Sequence, residues 1–209
     1  MAITTYSELQ SSIANWLNRN GDTPLLSVIP DFISLAEADI NRKLRHYKMI
    51  ERVDAVLDSR YVQVPDNWLE TVRFNITAST TVKLDFIGPE DMLEKRQNNS
   101  DTAGISRYYT QMGNAIEVFP TPAAEYPMQL AYYAQIPNLS DSVTFNWLLQ
   151  DQPDVYLYGA LMQSAPYLLD DARTQTWAGL YQNGLASLQK ASDDTRFGGS
   201  GRRIIITSY

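Results

Sequence analysis

His46 is the chain's single histidine, so any chemistry that needs an imidazole must use it. A Ser-His-Asp relay also needs a nucleophile on a strained strand-to-helix turn, and no G-x-S-x-G stretch accompanies this histidine. One His and no Cys make neither a zinc set nor a disulfide framework. His46 follows Arg45 in "RKLRHYK" and reads as an exposed residue at a helix end. Adjacent carboxylates stand at Asp170-Asp171 and Asp193-Asp194. A glycosidase needs two carboxylates facing one another across a sugar, whereas these pairs fall at helix boundaries, where capping accounts for them. "GGSG" from Gly198 has neither the following helix nor the lysine of a phosphate cradle. These residue types predict no enzyme, no metal and no cofactor.

Binding chemistry is the alternative. The formal charge is −7, and a protein that grips DNA without reading its sequence draws its affinity from a basic face. The nearest basic cluster, Arg42 to Lys48, sits at a helix end where the dipole favours cations anyway. Thirteen tyrosines exceed what a core of this size requires. Tyr108-Tyr109 and Tyr132-Tyr133 are candidate contacts for a partner or a glycan, since tyrosine joins area to a polar tip. Cross-strand packing is the competing explanation. The chain ends on "GGSGRRIIITSY", and Ile204, Ile205 and Ile206 together carry roughly 5–8 kcal/mol of burial free energy that an exposed tail would forgo. The tail must pack on its own domain or on another chain.

The elements that position these residues follow from periodicity. Thr5 and Glu8 form a capping box, and Leu9, Ile13, Trp16 and Leu17 follow at helical spacing up to an Asn20-Gly21 stop. "IPDFISLAEADINRKLRHY" reads as a second helix with Pro30 in its first turn and an apolar stripe of Phe32, Ile33, Ala36, Ile40 and Leu44. Asp39 and Lys43 can pair on its outer face. From Met49 the period changes to 2. "VDAVLDSRYVQVP" gives two short strands around Asp58-Ser59. "TVRFNIT" and "TVKLDFI" alternate, the second through Val82, Leu84 and Phe86. "GPEDMLEKRQ" is a short helix, a Gly113-Asn114 turn joins a hairpin, and "MQLAYYAQI" supplies the last strand. Near Gln150 helical spacing returns, with Asp151 as cap and Pro153 in the first turn. Pro166 should kink or end this helix. A final helix runs from about Asp171 to Thr195 and buries Trp177, Tyr181, Leu185 and Leu188.

The expected fold is α+β. A four-helix-type bundle comes from residues 1–48 and 150–195, an antiparallel β-sandwich or barrel is inserted at 49–149, and an extended arm occupies 196–209. No run approaches the ~20 apolar residues of a membrane span. The N-terminus has neither a basic region nor an apolar run, so no secretion signal is expected. A place in the cytoplasm, or in a particle assembled there, fits.

"YSELQSSIANWLNRN", followed by "IPDFISLAEADINRKLRHYKMIERVDAVL", resembles the tail adaptor proteins of short-tailed bacteriophages, also called head-to-tail connector or tail tubular proteins. The likeness is strongest over residues 6–57 and continues through the helix, β, helix order. It implies a ring of copies, commonly twelve, docked beneath the portal at the capsid vertex. The helices would line a channel through which the genome passes without specific binding, and the β domain would hold the tail nozzle or fibres. The C-terminal segment would reach the portal, which makes Arg202, Arg203, Ile204, Ile205, Ile206, Thr207 and Tyr209 a docking arm that orders on binding. The function expected is that of a structural virion protein. Its alternatives are a carbohydrate-binding tail module built on the β-domain tyrosines and, more weakly, a wall-degrading hydrolase.

Overall fold

The computed structural model describes residues 3–99, 103–168 and 173–197. They form six helices and eight strands in the order α1 (Tyr6–Trp16), α2 (Thr23–Lys43), β1 (Ile50–Leu57), β2 (Tyr61–Gln63), β3 (Trp68–Thr77), β4 (Thr81–Lys83), β5 (Asp85–Phe86), α3 (Pro89–Asn98), β6 (Tyr108–Met112), β7 (Ala115–Phe119), β8 (Tyr126–Ala134), α4 (Trp147–Asp151), α5 (Pro153–Leu168) and α6 (Thr174–Phe197). The chain divides into two units. One holds the described residues up to Tyr47 and from Ile136 onward, and the other is Lys48–Gln135.

In the helical unit, α5 packs against α1, α2 and α6. The capping box at Thr5 and Glu8 forms as expected, with the Glu8 carboxylate also accepting from Thr4. The start of α2 differs. It begins at Thr23, where Asp22 accepts from the Leu25 N–H and Pro24 lies in the first turn, so Pro30 falls inside the helix rather than at its opening. A proline there removes the hydrogen bond to the preceding turn. Burial of Ile29, Phe32 and Ile33 around it carries the helix through. Pro166 is likewise inside α5, two residues before its last described position. Residues 136–149, expected in the β domain, belong to the helical unit. An extra helix, α4, precedes α5; Asn146 caps it by accepting from the Leu149 N–H, and Asp151, expected as the cap of the helix that follows, is the last residue of α4. The stripe of α6 is buried at Trp177, Tyr181, Leu185 and Leu188.

The β unit is two four-stranded sheets, ordered β1-β8-β3-β4 and β2-β7-β6-β5. All pairings are antiparallel except β5 with β6. Leu57, Phe74, Ile76 and Leu130 of the first sheet share one core with Ile116 and Val118 of the second, which makes a sandwich rather than a closed barrel. β1 and β2 do not pair around Asp58-Ser59. β1 lies on β8, and β2 crosses to β7. "TVKLDFI" also divides between sheets. The Leu84 N–H donates to the Phe74 carbonyl of β3, and the next N–H, of Asp85, donates to the Arg107 carbonyl beside β6. Leu84 is buried at that crossing while Phe86 is exposed. β3 carries two extra residues against β8, Leu69 between the paired positions Trp68 and Glu70 and Val72 between Thr71 and Arg73. The second of these bulges takes Val72 out of the alternation that buries Phe74 and Ile76.

Candidate interaction surfaces

The four candidate tyrosines do not share a surface. Tyr132 points into the sandwich core at 4% exposure, with its hydroxyl within 3.1 Å of Glu51 and 3.0 Å of Asn67. Tyr133, the next residue on β8, points to the other face and is 6% exposed. Tyr108 is half-buried beneath α3, where Lys95 Nζ sits 4.2 Å from its ring centre. Tyr109 lines an open cleft. The arm residues Arg202, Arg203, Ile204, Ile205, Ile206, Thr207 and Tyr209 lie outside the described residues, as do Asp170 and Asp171. His46 is buried rather than exposed, stacked at 5.1 Å on Trp147. A partner about a hundred positions away leaves no local mark in the sequence.

The cleft has a volume of about 300 Å³ and is walled by Trp68, Glu70 and Thr71 of β3, Phe86 of β5, and Tyr109 and Gln111 of β6, with Ile116 of β7 also lining it. Tyr109 holds the centre. Its ring meets Phe74 edge-to-face at 5.6 Å and Phe86 at 5.5 Å. Burial, reinforced by the charges of Asp85 and Glu70, raises its phenol above the usual range. The Trp68 indole N–H donates to Thr71 Oγ1 at 3.2 Å.

Two buried polar clusters fix the backbone on which surfaces of this kind depend. In the β unit, Glu117 Oε1 accepts from Arg60 at 2.8 Å and from Arg96 at 2.7 Å, while Arg96 also donates to the Val118 carbonyl. Arg96 and the buried Met92 together seat α3 on the outer face of the second sheet. In the helical unit, α2 offers Glu37 and Asn41, one turn apart. The Leu139 N–H donates to Glu37 at 2.7 Å and the Ile136 N–H to Asn41 at 2.9 Å. These two bonds hold the chain where it re-enters the helices. Tyr156 Oη donates to the same Glu37 oxygen, and Asn146 Nδ2 donates to Tyr156. Burial raises the Glu37 carboxyl to about 7 against the lowering effect of the bonds from the Leu139 N–H and the Tyr156 hydroxyl. Asp39, two residues on, faces Tyr181 and Lys43 instead of lying on an outer face. Burial pushes it up, but the bonds from Lys43 and Tyr181 and the charges of Lys43 and Arg42 hold it below the usual range.

Among the described residues no group of three His, Asp or Glu could hold a metal ion, and no helix is long and apolar enough to cross a membrane. A family model described as SU10 adaptor protein matches residues 4–204. The chain belongs to the SU10 adaptor protein family. As a family member it is a phage adaptor-type protein, a structural component of a virion that interacts with other virion proteins. No curated protein matches it. The family match runs through Gly198 to Ile204, so it includes most of the "GGSGRRIII" stretch.

Proposed function

We propose that this SU10-family adaptor is the tail adaptor of a short-tailed phage and catalyses no reaction. Copies assemble as a ring, commonly of twelve, on the portal at the capsid vertex. On this reading α1, α2, α5 and α6 form a four-helix-type bundle bordering the DNA channel, and the β unit carries the tail nozzle or fibres. Residues 198–209 are the arm that docks on the portal, since α6 runs on to Phe197 instead of ending at Thr195, with Ile204, Ile205 and Ile206 supplying apolar contact and the glycine-serine joint supplying reach. The family match over residues 4–204 carries the proposal. The acidic balance of −7 supports a channel through which DNA slides without being held.

A portal-binding assay tests it, comparing the full chain with a version stopped after Thr195 by sedimentation or native mass spectrometry. The expected result is a ring of the full chain on the portal and a folded, unbound truncation. Equal binding by both would remove the arm from the reading. Failure of both, with the truncation unfolded, would return the isoleucines to the protein's own core.

A further inference from the structure

The cleft of the β unit sets a largely exposed aromatic ring beside a carboxylate. Phe86 is 61% exposed, the largest value among the exposed large apolar side chains of the described residues. It occupies a two-residue strand whose register with β6 places it beside Tyr109. Among the described residues lining the cleft, Glu70 is the one that carries a charge, and no cation lines it.

We infer that this cleft receives an arginine side chain presented by a partner protein of the virion, an inference that rests on the adaptor reading for the existence of such a partner. A guanidinium is weakly hydrated, stacks on aromatic faces and pairs with a carboxylate through a planar fork. Trp68, Phe86 and Tyr109 supply the faces, and Glu70 supplies the carboxylate. Any partner Glu70 already has does not exhaust it, because a carboxylate offers about four acceptor directions.

A sugar is the competing occupant, and the geometry disfavours it. Phe86 and Tyr109 stand at 68° to one another, so they make two walls of a slot rather than a flat platform. The Trp68 N–H, a natural donor to a sugar hydroxyl, is already committed to Thr71. A volume of about 300 Å³ lies at the small end of ligand sites and suits one long side chain better than an oligosaccharide.

The test uses the full chain labelled with 15N, titrated with a blocked Ala-Arg-Ala peptide while the Trp68 indole signal is followed. The indole is assigned from a Trp68→Phe sample. Saturable shifts at Trp68, Phe86 and Tyr109 are expected, with a dissociation constant in the millimolar range appropriate to one stacked ion pair. Glu70→Gln and Phe86→Ala, both at exposed positions, should each weaken binding by about tenfold. The citrulline peptide, which keeps the shape and loses the charge, should not bind. Equal binding of arginine and citrulline, or no shift with arginine, would overturn the inference. Shifts with a disaccharide and none with arginine would assign the cleft to a glycan. A peptide of residues 198–209 that binds more tightly than Ala-Arg-Ala would overturn the separate-partner assignment in favour of a second copy. Portal docking is read in a different assay, so its failure and the failure of this cleft are distinguishable.

Discussion

In the β unit Glu117 is buried between two guanidinium groups, and in the helical unit Glu37 is buried to the same degree against a backbone N–H and a phenol. The first arrangement clamps a charge, and its geometry collapses if one member leaves. The second holds a group that neutralises near pH 7, so its hydrogen bonds matter more than its charge. The clamp fastens α3 to a sheet. The neutral network fastens the re-entering chain, residues 136–146, to α2. Each unit thus secures a segment lying outside its main sheets or helix stack with a polar group that its surroundings can satisfy.

Removing one member of the clamp should have the largest effect. Arg96→Ala leaves Glu117 buried with half its compensation, and breaking a buried pair in this way costs about 3–5 kcal/mol. Fluorotryptophan NMR can localise the loss, because Trp68 is the one tryptophan of the β unit while Trp16, Trp147 and Trp177 belong to the other. The Trp68 signal should melt first. The double variant Arg96→Met, Glu117→Leu should recover most of the loss, since well-packed apolar replacements of a buried pair are often neutral. A double variant no better than the single would refute the clamp.

Glu37→Ala should cost somewhat less, about 2–4 kcal/mol, by orphaning the Leu139 N–H and the Tyr156 hydroxyl in a buried site. Here the three helical-unit tryptophans should report the change and Trp68 should not. Glu37→Gln keeps an acceptor oxygen for both donors, so at pH 5 it should be close to neutral. The two substitutions giving the same loss at pH 5 would show that shape, not hydrogen bonding, matters at this site.

The pH dependence sharpens the contrast. Glu37 has a folded pKa raised from 4.5 to about 7, so the folded state binds the extra proton between those values. Its contribution is fully present below about 4.5 and is lost as pH rises through about 7, a decline on the order of 1–3 kcal/mol. Urea unfolding of the helical unit across pH 4.5–8 should show this slope, and Glu37→Gln should flatten it. A wild-type profile without the slope would mean that Glu37 stays ionised in the fold.

Local signals were legible and long-range ones were not. The Thr5–Glu8 box and the stripes of α2 and α6 depend on residues within a few turns, and each is formed. The opening of α2 was misread because Pro30 suits a first turn as well as Pro24 does, and only the packing around Ile29 and Phe32 distinguishes them. Alternation in "TVKLDFI" marks extended chain but cannot say that Leu84 and Asp85 bond to different sheets. The cleft escaped for the same reason. Trp68, Phe86 and Tyr109 come from three strands, and pairing tyrosines by adjacency grouped residues that alternation sends to opposite faces.

The smallest predicted effect contrasts two carboxylates on one helix. Asp39 differs from Glu37 in having a cation 2.7 Å away at Lys43, whose side chain is about half exposed. An exposed partner is screened, so Lys43→Ala should cost about 0.5 kcal/mol at neutral pH. The informative readout is acid titration. Because the folded pKa of Asp39 is depressed, its contribution is present above its unfolded value near 3.8 and is lost as pH falls below that. Lys43→Ala should shrink this acid loss and leave the decline between pH 4.5 and 7 unchanged, since Lys43 is not among the groups that shift Glu37. The stabilising contributions of these two carboxylates overlap only at about pH 4, between the acid loss of Asp39 and the decline of Glu37. A Lys43→Ala profile altered on the alkaline side would show instead that α2 carries one coupled network, not two independent ones.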